Sequence, residues 1–240
     1  MGRVIASLVK EDPECEIIGG IDLVDDGTLS FPVFPSPDKV NVNADVIIDF
    51  SHPSCLIPVM DYAASTKTPV VICTTGLTPE QKAYMTSKAT ETAVFFSANM
   101  SLGVNVIIDL AKRATNVLED NFDIEIVEAH HNRKLDAPSG TALYIADAIN
   151  EACKEKKEYV YDRHSVRKKR EKSEIGIHAI RGGTIVGEHT VIFAGNDEII
   201  ELKHTALSRD VFAEGAIAAA KFMSDKKVGL YDMNDLIQSK

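Results

Sequence analysis

Three short apolar runs, ADVIIDFS (44–51), TPVVICTTG (68–76) and AVFFSANM (93–100), alternate with helix-period segments at 53–65 and 79–91. Apolar runs of this length, ended by turn residues, read as strands buried on both faces. Strands joined through helices lie parallel, with right-handed crossovers. The alternation therefore predicts a doubly wound parallel α/β sheet. CEIIGGID (15–22) reads as a further strand, followed by a Pro-rich loop, FPVFPSPDK. The segment MGRVIASLVKEDPE has one Arg and a short apolar patch broken by Lys10 and Glu11, so it reads as an amphipathic helix rather than a signal peptide. The helix at 79–91 opens Thr78-Pro79-Glu80, with proline in its first turn.

The pattern changes after residue 100. A helix over 102–118 leads to FDIEIVEAHH (122–131), where apolar and charged residues alternate. A second helix ends near 154, and a charged loop containing VRKKREK follows. EIGIHAIRGG, EHTVIFAG and DEIIELKHTA are then strands with short connections, turned at Gly182-Gly183 and Gly195-Asn196-Asp197. This predicts a mixed or antiparallel sheet. The Ala-rich segment 209–224 reads as a final helix.

Composition excludes some functions. A net charge of −10 argues against a protein that coats nucleic acid. No apolar run reaches the ~18 residues of a membrane span. Cys15, Cys55, Cys73 and Cys153 are scattered without a CxxC pair and read as reduced thiols of a cytoplasmic protein. The run Arg167–Lys172 reads as a solvated loop, because like charges in a row repel.

Against this acidic background, EAHHNRKLDAPSGTA (128–142) gathers two histidines, an arginine and a lysine just before a helix. Neighbouring residues of a strand point to opposite faces, so His130 and His131 make a poor chelating pair, and no metal site is expected. Ser139-Gly140-Thr141 opens the helix, whose first N–H groups suit a carboxylate or phosphate. His131, Arg133 and Lys134 could face the same anion, and His and Lys can deliver protons. Alternatively, Ser139 merely caps the helix and the bases sit on a solvated loop. The residues themselves leave both readings open. His178, His189 and His204 read as hydrogen-bonded residues at sheet faces or interfaces.

The same fifteen residues resemble the signature of the 4-hydroxy-tetrahydrodipicolinate reductase family, also called dihydrodipicolinate reductases. DFSHP (49–53), CTTGL (73–77), SANMSLGVN (97–105), IRGGTIVGEHTVIFAG (180–195) and KHTALSRDVFAEGA (203–216) resemble further family blocks in the same order. The resemblance implies a Rossmann-type dinucleotide-binding domain over 1–101 and 210–240. It also implies an α+β substrate-binding and tetramerisation domain with a mixed sheet over 102–209. It implies NADH- or NADPH-dependent reduction of a small cyclic dicarboxylate in diaminopimelate and lysine biosynthesis, by a homotetramer without nucleic-acid or membrane partners. His130 and Lys134 resemble the family's proton-handling pair. His131, Ser139, Gly140 and Thr141 resemble its substrate-carboxylate contacts. Cys73, Thr74 and Thr75, and Ser97, Ala98, Asn99 and Met100, match two cofactor-contacting loops. Two other functions are weighed: a dicarboxylate-binding oligomer without catalysis, and a Rossmann dehydrogenase for another anion.

Asp22 ends the second-strand candidate, where an acid typically binds the adenosine ribose hydroxyls. It is followed by Leu23, where relatives using NADPH often carry Arg. NADH is therefore the expected cofactor. The chain departs from the resemblance at its start. Relatives place a strand and a Gly-x-x-Gly-x-x-Gly loop ahead of MGR, whereas here only Gly2 of that fingerprint is present. The expectation is a gap in the first sheet, with two explanations. Either the start codon was placed late by ~12–17 residues, or a short form exists with weak cofactor binding.

Overall fold

The computed structural model describes residues 1–239, which divide into two units, 1–102 with 210–239 and 103–209. In the first unit, Gly2–Lys10 forms helix α1, as its amphipathic pattern predicts. The CEIIGGID run pairs only over Gly20–Ile21 (β1), parallel to Val33–Phe34 (β2) inside the presumed Pro-rich loop. This corrects the longer strand expected at 15–22. Pro32 and Pro35 flank β2 and have no N–H to donate, so the ladder stops at two residues.

The main parallel sheet is Ile47–Asp49 (β3), Val70–Ile72 (β4), Ala93–Phe96 (β5) and Gly229–Tyr231 (β11), in the order β11-β5-β4-β3. β1 and β2 form their own two-stranded sheet, so the first unit's strands stand in two separate sheets. Leu56–Thr66 (α2) and Pro79–Lys88 (α3) connect the middle strands. Residues 53–55 are a 3₁₀ turn, and α3 stops three residues before the expected end. Thr78 and Gln81 close a reciprocal cap on α3. Strand alternation divides the apolar residues between two faces. Val70, Ile72 and Val94 meet Leu56, Met60 and Met85 of α2 and α3. Val71 and Phe95 meet the opposite helical layer, Asp210–Met223 (α6) and Met233–Gln238 (α7), through Ala216, Ala219, Met223 and Leu236. Ile5 and Val9 of α1 pack on Ala213 and Ile217 of α6. The expected final helix is thus followed by a strand and another helix.

In the second unit, Leu102–Leu118 (α4) leads to Asp123–His130 (β6), and Gly140–Ala152 (α5) follows. Glu158–Val160 (β7), absent from the sequence reading, Glu174–Arg181 (β8), Gly187–Ala194 (β9) and Ile199–Ala206 (β10) complete a mixed sheet of order β10-β9-β6-β8-β7. β8 runs parallel to β6, while β9 is antiparallel to both β6 and β10. Ile124 and Ile126, Ile175 and Ile177, and Val191 and Phe193 face Ile108, Ala142, Ile145 and Ile149 of α4 and α5. The run 167–172 is the exposed loop expected, except that Arg170 is half-buried and several of its bases are paired with acids of the sheet. Arg170 binds Asp123 (2.8 Å) and Glu125 (2.9 Å), Lys168 binds the buried Glu174 (2.9 Å), and Lys172 binds Asp123 (3.1 Å). Acids on β6 and β8 draw the bases onto the sheet. Among the described residues, no helix is long and apolar enough to cross a membrane.

Gly215 interrupts the alanine-rich face of α6 for a steric reason. A Cβ there would stand 1.7 Å from the Met100 carbonyl oxygen. G215A is expected to destabilise the chain by about 1–3 kcal/mol, through forced movement of loop 97–101. Urea unfolding measures it; an unchanged or raised midpoint would contradict the contact.

Candidate active site

The second unit's sheet changes character at one end of its helix-covered face. On β6, Ile124 and Ile126 are followed on the same face by Glu128 and His130. On β9, His189 replaces the apolar residues Val191 and Phe193, and on β8 Arg181 succeeds Ile175 and Ile177. The fully buried Glu128 carboxylate receives four donors. Arg181 binds it through both guanidinium nitrogens (2.7 and 2.9 Å), His130 through Nδ1 (2.6 Å), and Ser139 through its backbone N–H (3.0 Å). Burial opposes the charge, but the Arg181, His130 and Ser139 hydrogen bonds outweigh it and hold the carboxyl below its usual range.

Ser139 caps α5, its Oγ accepting from the Ala142 N–H (3.1 Å). The same hydroxyl shares a hydrogen bond with His189 Nε2 at 3.0 Å. His189 Nδ1 is buried without a partner, and its ring stands edge-on to His130 with centroids 5.2 Å apart. Burial, then the nearby His130, brings the His189 pKa down to about 4, so the ring is neutral. The N–H and the hydroxyl of Ser139 therefore both have partners within the protein. The anion-seat and helix-cap readings divide at this residue: Ser139 is a cap, while Gly140 is exposed and Thr141 half-buried at the start of α5.

The strand ends at His130, whose carbonyl accepts from the Gly182 N–H (2.9 Å). His131 lies just beyond the strand, with Nδ1 buried and unpaired. Burial lowers its pKa, and the charges of Arg133, Arg209 and Lys134 lower it further. These cations create a positive field around one ring, as an anion-binding surface requires. Lys134 binds the exposed Asp136 at 2.8 Å. The Lys134 hydrogen bond, with help from the Gly140 N–H, keeps the Asp136 carboxyl low.

In the first unit, the expected cofactor residues lie in loops at the C-terminal ends of parallel strands, where doubly wound sheets bind ligands. They divide by exposure. Asp22, Thr75 and Ala98 are exposed, whereas Cys73, Thr74, Ser97, Asn99 and Met100 are buried. Thr74 Oγ1 donates to Asp49 Oδ2 (2.8 Å), tying the loops after β3 and β4 together. Ser97 Oγ donates to the Asn99 carbonyl (2.7 Å), and Asn99 Oδ1 accepts from the Ser101 N–H (2.8 Å). The Cys73 thiol is held in its neutral form by burial, and then by Asp49.

Sequence reasoning gave no role to Glu128 or Arg181, although Glu128 stands two residues before His130 and so shares its strand face. It placed His189 at a sheet face without its Ser139 partner. His178 binds Glu125 (2.8 Å) on the sheet's other face, away from this cluster.

The family described as dihydrodipicolinate reductase matches in two parts, its N-terminus over residues 1–100 and its C-terminus over 103–237. The 4-hydroxy-tetrahydrodipicolinate reductase of Caldanaerobacter subterraneus is 54% identical over 99% of this chain and 94% of its own. That of Clostridium novyi is 50% identical over 100% and 95%. Among solved structures, a dipicolinate-bound dihydrodipicolinate reductase from a Paenisporosarcina species shares the fold, with a TM-score of 0.82 at 24% identity over 97% of this chain and 94% of that one. A probable dehydrogenase from Thermotoga maritima aligns with a TM-score of 0.65 at 11% identity, over 99% of this chain and 90% of that one.

The neutral His189 links stability to pH. An unfolded chain protonates this residue below pH 6.5, and the folded chain only near pH 4. The stability contributed is complete above 6.5 and is lost as pH falls from 6.5 towards 4. Relative to H189Q, the wild type should lose up to about 3 kcal/mol over that interval. Urea titrations of both chains at each pH measure it; parallel curves would contradict the assignment.

Proposed function

This chain belongs to the dihydrodipicolinate reductase family, and we propose that it reduces 4-hydroxy-tetrahydrodipicolinate to tetrahydrodipicolinate in diaminopimelate and lysine biosynthesis. The observation that carries this reading is the cluster on the second unit, where His130, His131, Lys134 and the start of α5 converge on an electropositive surface inside an acidic protein. A cyclic dicarboxylate needs such a surface. His131 and Lys134 attract its carboxylates, and Gly140 and Thr141 offer the helix start. Reduction also releases water and consumes a proton. His130 and Lys134 stand as the groups that move protons at the ring, neutralising the charge that develops as hydrogen reaches carbon.

Bound NADH or NADPH supplies the hydride. The first unit fits such a group: exposed Thr75, Gly76 and Ala98 follow neighbouring parallel strands, and Gly76 adopts φ +74°, leaving its backbone uncovered. The buried Thr74, Ser97 and Asn99 hold these loops in shape. Asp22, just past β1, would meet the ribose hydroxyls. The loop beyond carries Asp25 and Asp26, and Leu23 is 90% exposed. Arg3 reaches this loop but is bound to Asp26 (2.5 Å) and Thr28 (3.0 Å). This acid-rich loop disfavours a 2′-phosphate and supports NADH as the preferred cofactor. The exposed Ile180 and Ile199 on the second unit's sheet support self-association as a homotetramer, which light scattering on the purified chain would test.

Oxidation of NADH with freshly generated substrate tests the activity. H130Q and K134A should each lower kcat by on the order of 10²-fold or more, with the Kd for NADH nearly unchanged. kcat/KM should favour NADH over NADPH by about tenfold or more, the equivalent of one lost charged contact. Loss of cofactor affinity without loss of kcat would remove both residues from proton transfer. A NADPH preference would show that another base receives the 2′-phosphate.

A further inference from the structure

The four donors on Glu128 do unequal things. Arg181 and the Ser139 N–H already satisfy both oxygens of a buried carboxylate. The fourth, His130 Nδ1, makes the shortest contact of the set at 2.6 Å. A carboxylate in this setting is ionised and can only accept, so Nδ1 must carry a hydrogen. The proton on a neutral imidazole is thereby assigned to Nδ1, and Nε2 is left as the nitrogen with a lone pair.

A second observation concerns Nε2. It lies beside Gly187 at the start of β9, where a Cβ would stand 3.1 Å away. Any side chain there would crowd the nitrogen that Glu128 leaves available. The charged and titratable groups about the ring come from several elements: Glu128 on β6, Arg181 on β8, His189 on β9, and His131 and Lys134 on the following loop. His189 is neutral, and Lys134 is paired with Asp136. Glu128 is the group bonded to the ring itself.

We propose that Glu128, gripped by Arg181, is the positioning residue for proton transfer: it locks His130 in the Nδ1–H tautomer so that Nε2 faces the reacting ring. This rests on the reading of His130 as a proton-transfer group. Arg181 acts one step further out. Its bidentate grip fixes the plane of the carboxylate, and with it the plane of the imidazole. Gly187 keeps the approach to Nε2 clear.

Nitrogen-15 NMR of histidine-labelled whole protein, with H130Q used to assign the His130 signals, reads the tautomer without catalysis. The neutral ring of the wild type is expected to carry its hydrogen on Nδ1 and none on Nε2. In E128Q an amide has a single acceptor oxygen, which Arg181 and the Ser139 N–H compete for, and its NH₂ group can face Nδ1. The His130 signals should shift towards the Nε2–H form. kcat should fall by roughly 10²-fold while KM for the dicarboxylate stays within about threefold. A wild-type ring with its hydrogen on Nε2 overturns the proposal whether or not E128Q folds. So does a folded E128Q with the wild-type tautomer or the wild-type kcat while H130Q is slow. A fast H130Q would instead remove the proton-transfer reading of His130 itself.

Discussion

The Glu128 carboxylate lies where no water can solvate it, and such a charge persists only with a full set of donors. Each donor comes from a different stretch of chain: Arg181 from β8, His130 from the end of β6, Ser139 from the turn into α5. Satisfying one ion therefore fixes three backbones at a single point. The parallel pairing of β6 and β8 sets His130 directly against Arg181 in register, which lets the guanidinium span the carboxylate two residues back along β6. The Ser139 hydroxyl then turns to His189 and the Ala142 N–H, and the helix start is set with it. His130, the loop after it and the mouth of α5 share one electrostatic anchor.

The first unit solves a different problem with short polar side chains. Its loops must hold exposed backbone at strand ends without a buried ion pair to organise them. Asp49 and Thr74 join the loops after β3 and β4, and Ser97 and Asn99 fold the loop after β5 on itself. Gly215 admits the Met100 carbonyl against α6, where any Cβ would overlap it. Five of the eight residues expected to meet a cofactor are buried. Thr75, Gly76 and Ala98, their neighbours in the same loops, are the exposed ones.

Much of this was legible in the chain. The three apolar runs and their intervening helices became β3, β4 and β5 with α2 and α3, because buried parallel strands leave a strong, local signal. The motif at 128–142 spans the end of β6 and the start of α5, where the donors of Glu128 gather. What local pattern could not supply were pairings across sequence distance. Arg181 lies 53 residues from Glu128, and His189 lies 50 from Ser139. The exposure of Thr75 beside a buried Thr74 is likewise decided by a partner, Asp49, 25 residues away. β2 hid between prolines, and β7 and β11 are three residues each, too short for a period to show. The helix at 233–238 did carry a signal: Asp232 and Asp235 form a reciprocal cap of the kind recognised at Thr78 and Gln81.

The second unit pairs two acids with two bases in contrasting ways, and the contrast bears on how a doubly charged substrate could be held. Glu128 and Arg181 are sealed, with the carboxylate fully buried, so separating them would strand an uncompensated charge. Asp136 and Lys134 meet near the surface, with the aspartate side chain more than half exposed. Pairs of that kind contribute about 0–1 kcal/mol. An incoming carboxylate that replaces Asp136 at the Lys134 ammonium exchanges one weak ion pair for another, and the displaced acid returns to water at little cost. The buried pair keeps His130 fixed, while the exposed pair leaves Lys134 free to change partners. A protein carrying ten more acids than bases can thus offer its substrate a local excess of positive charge, because the acids nearest the site are either locked inside or easily displaced.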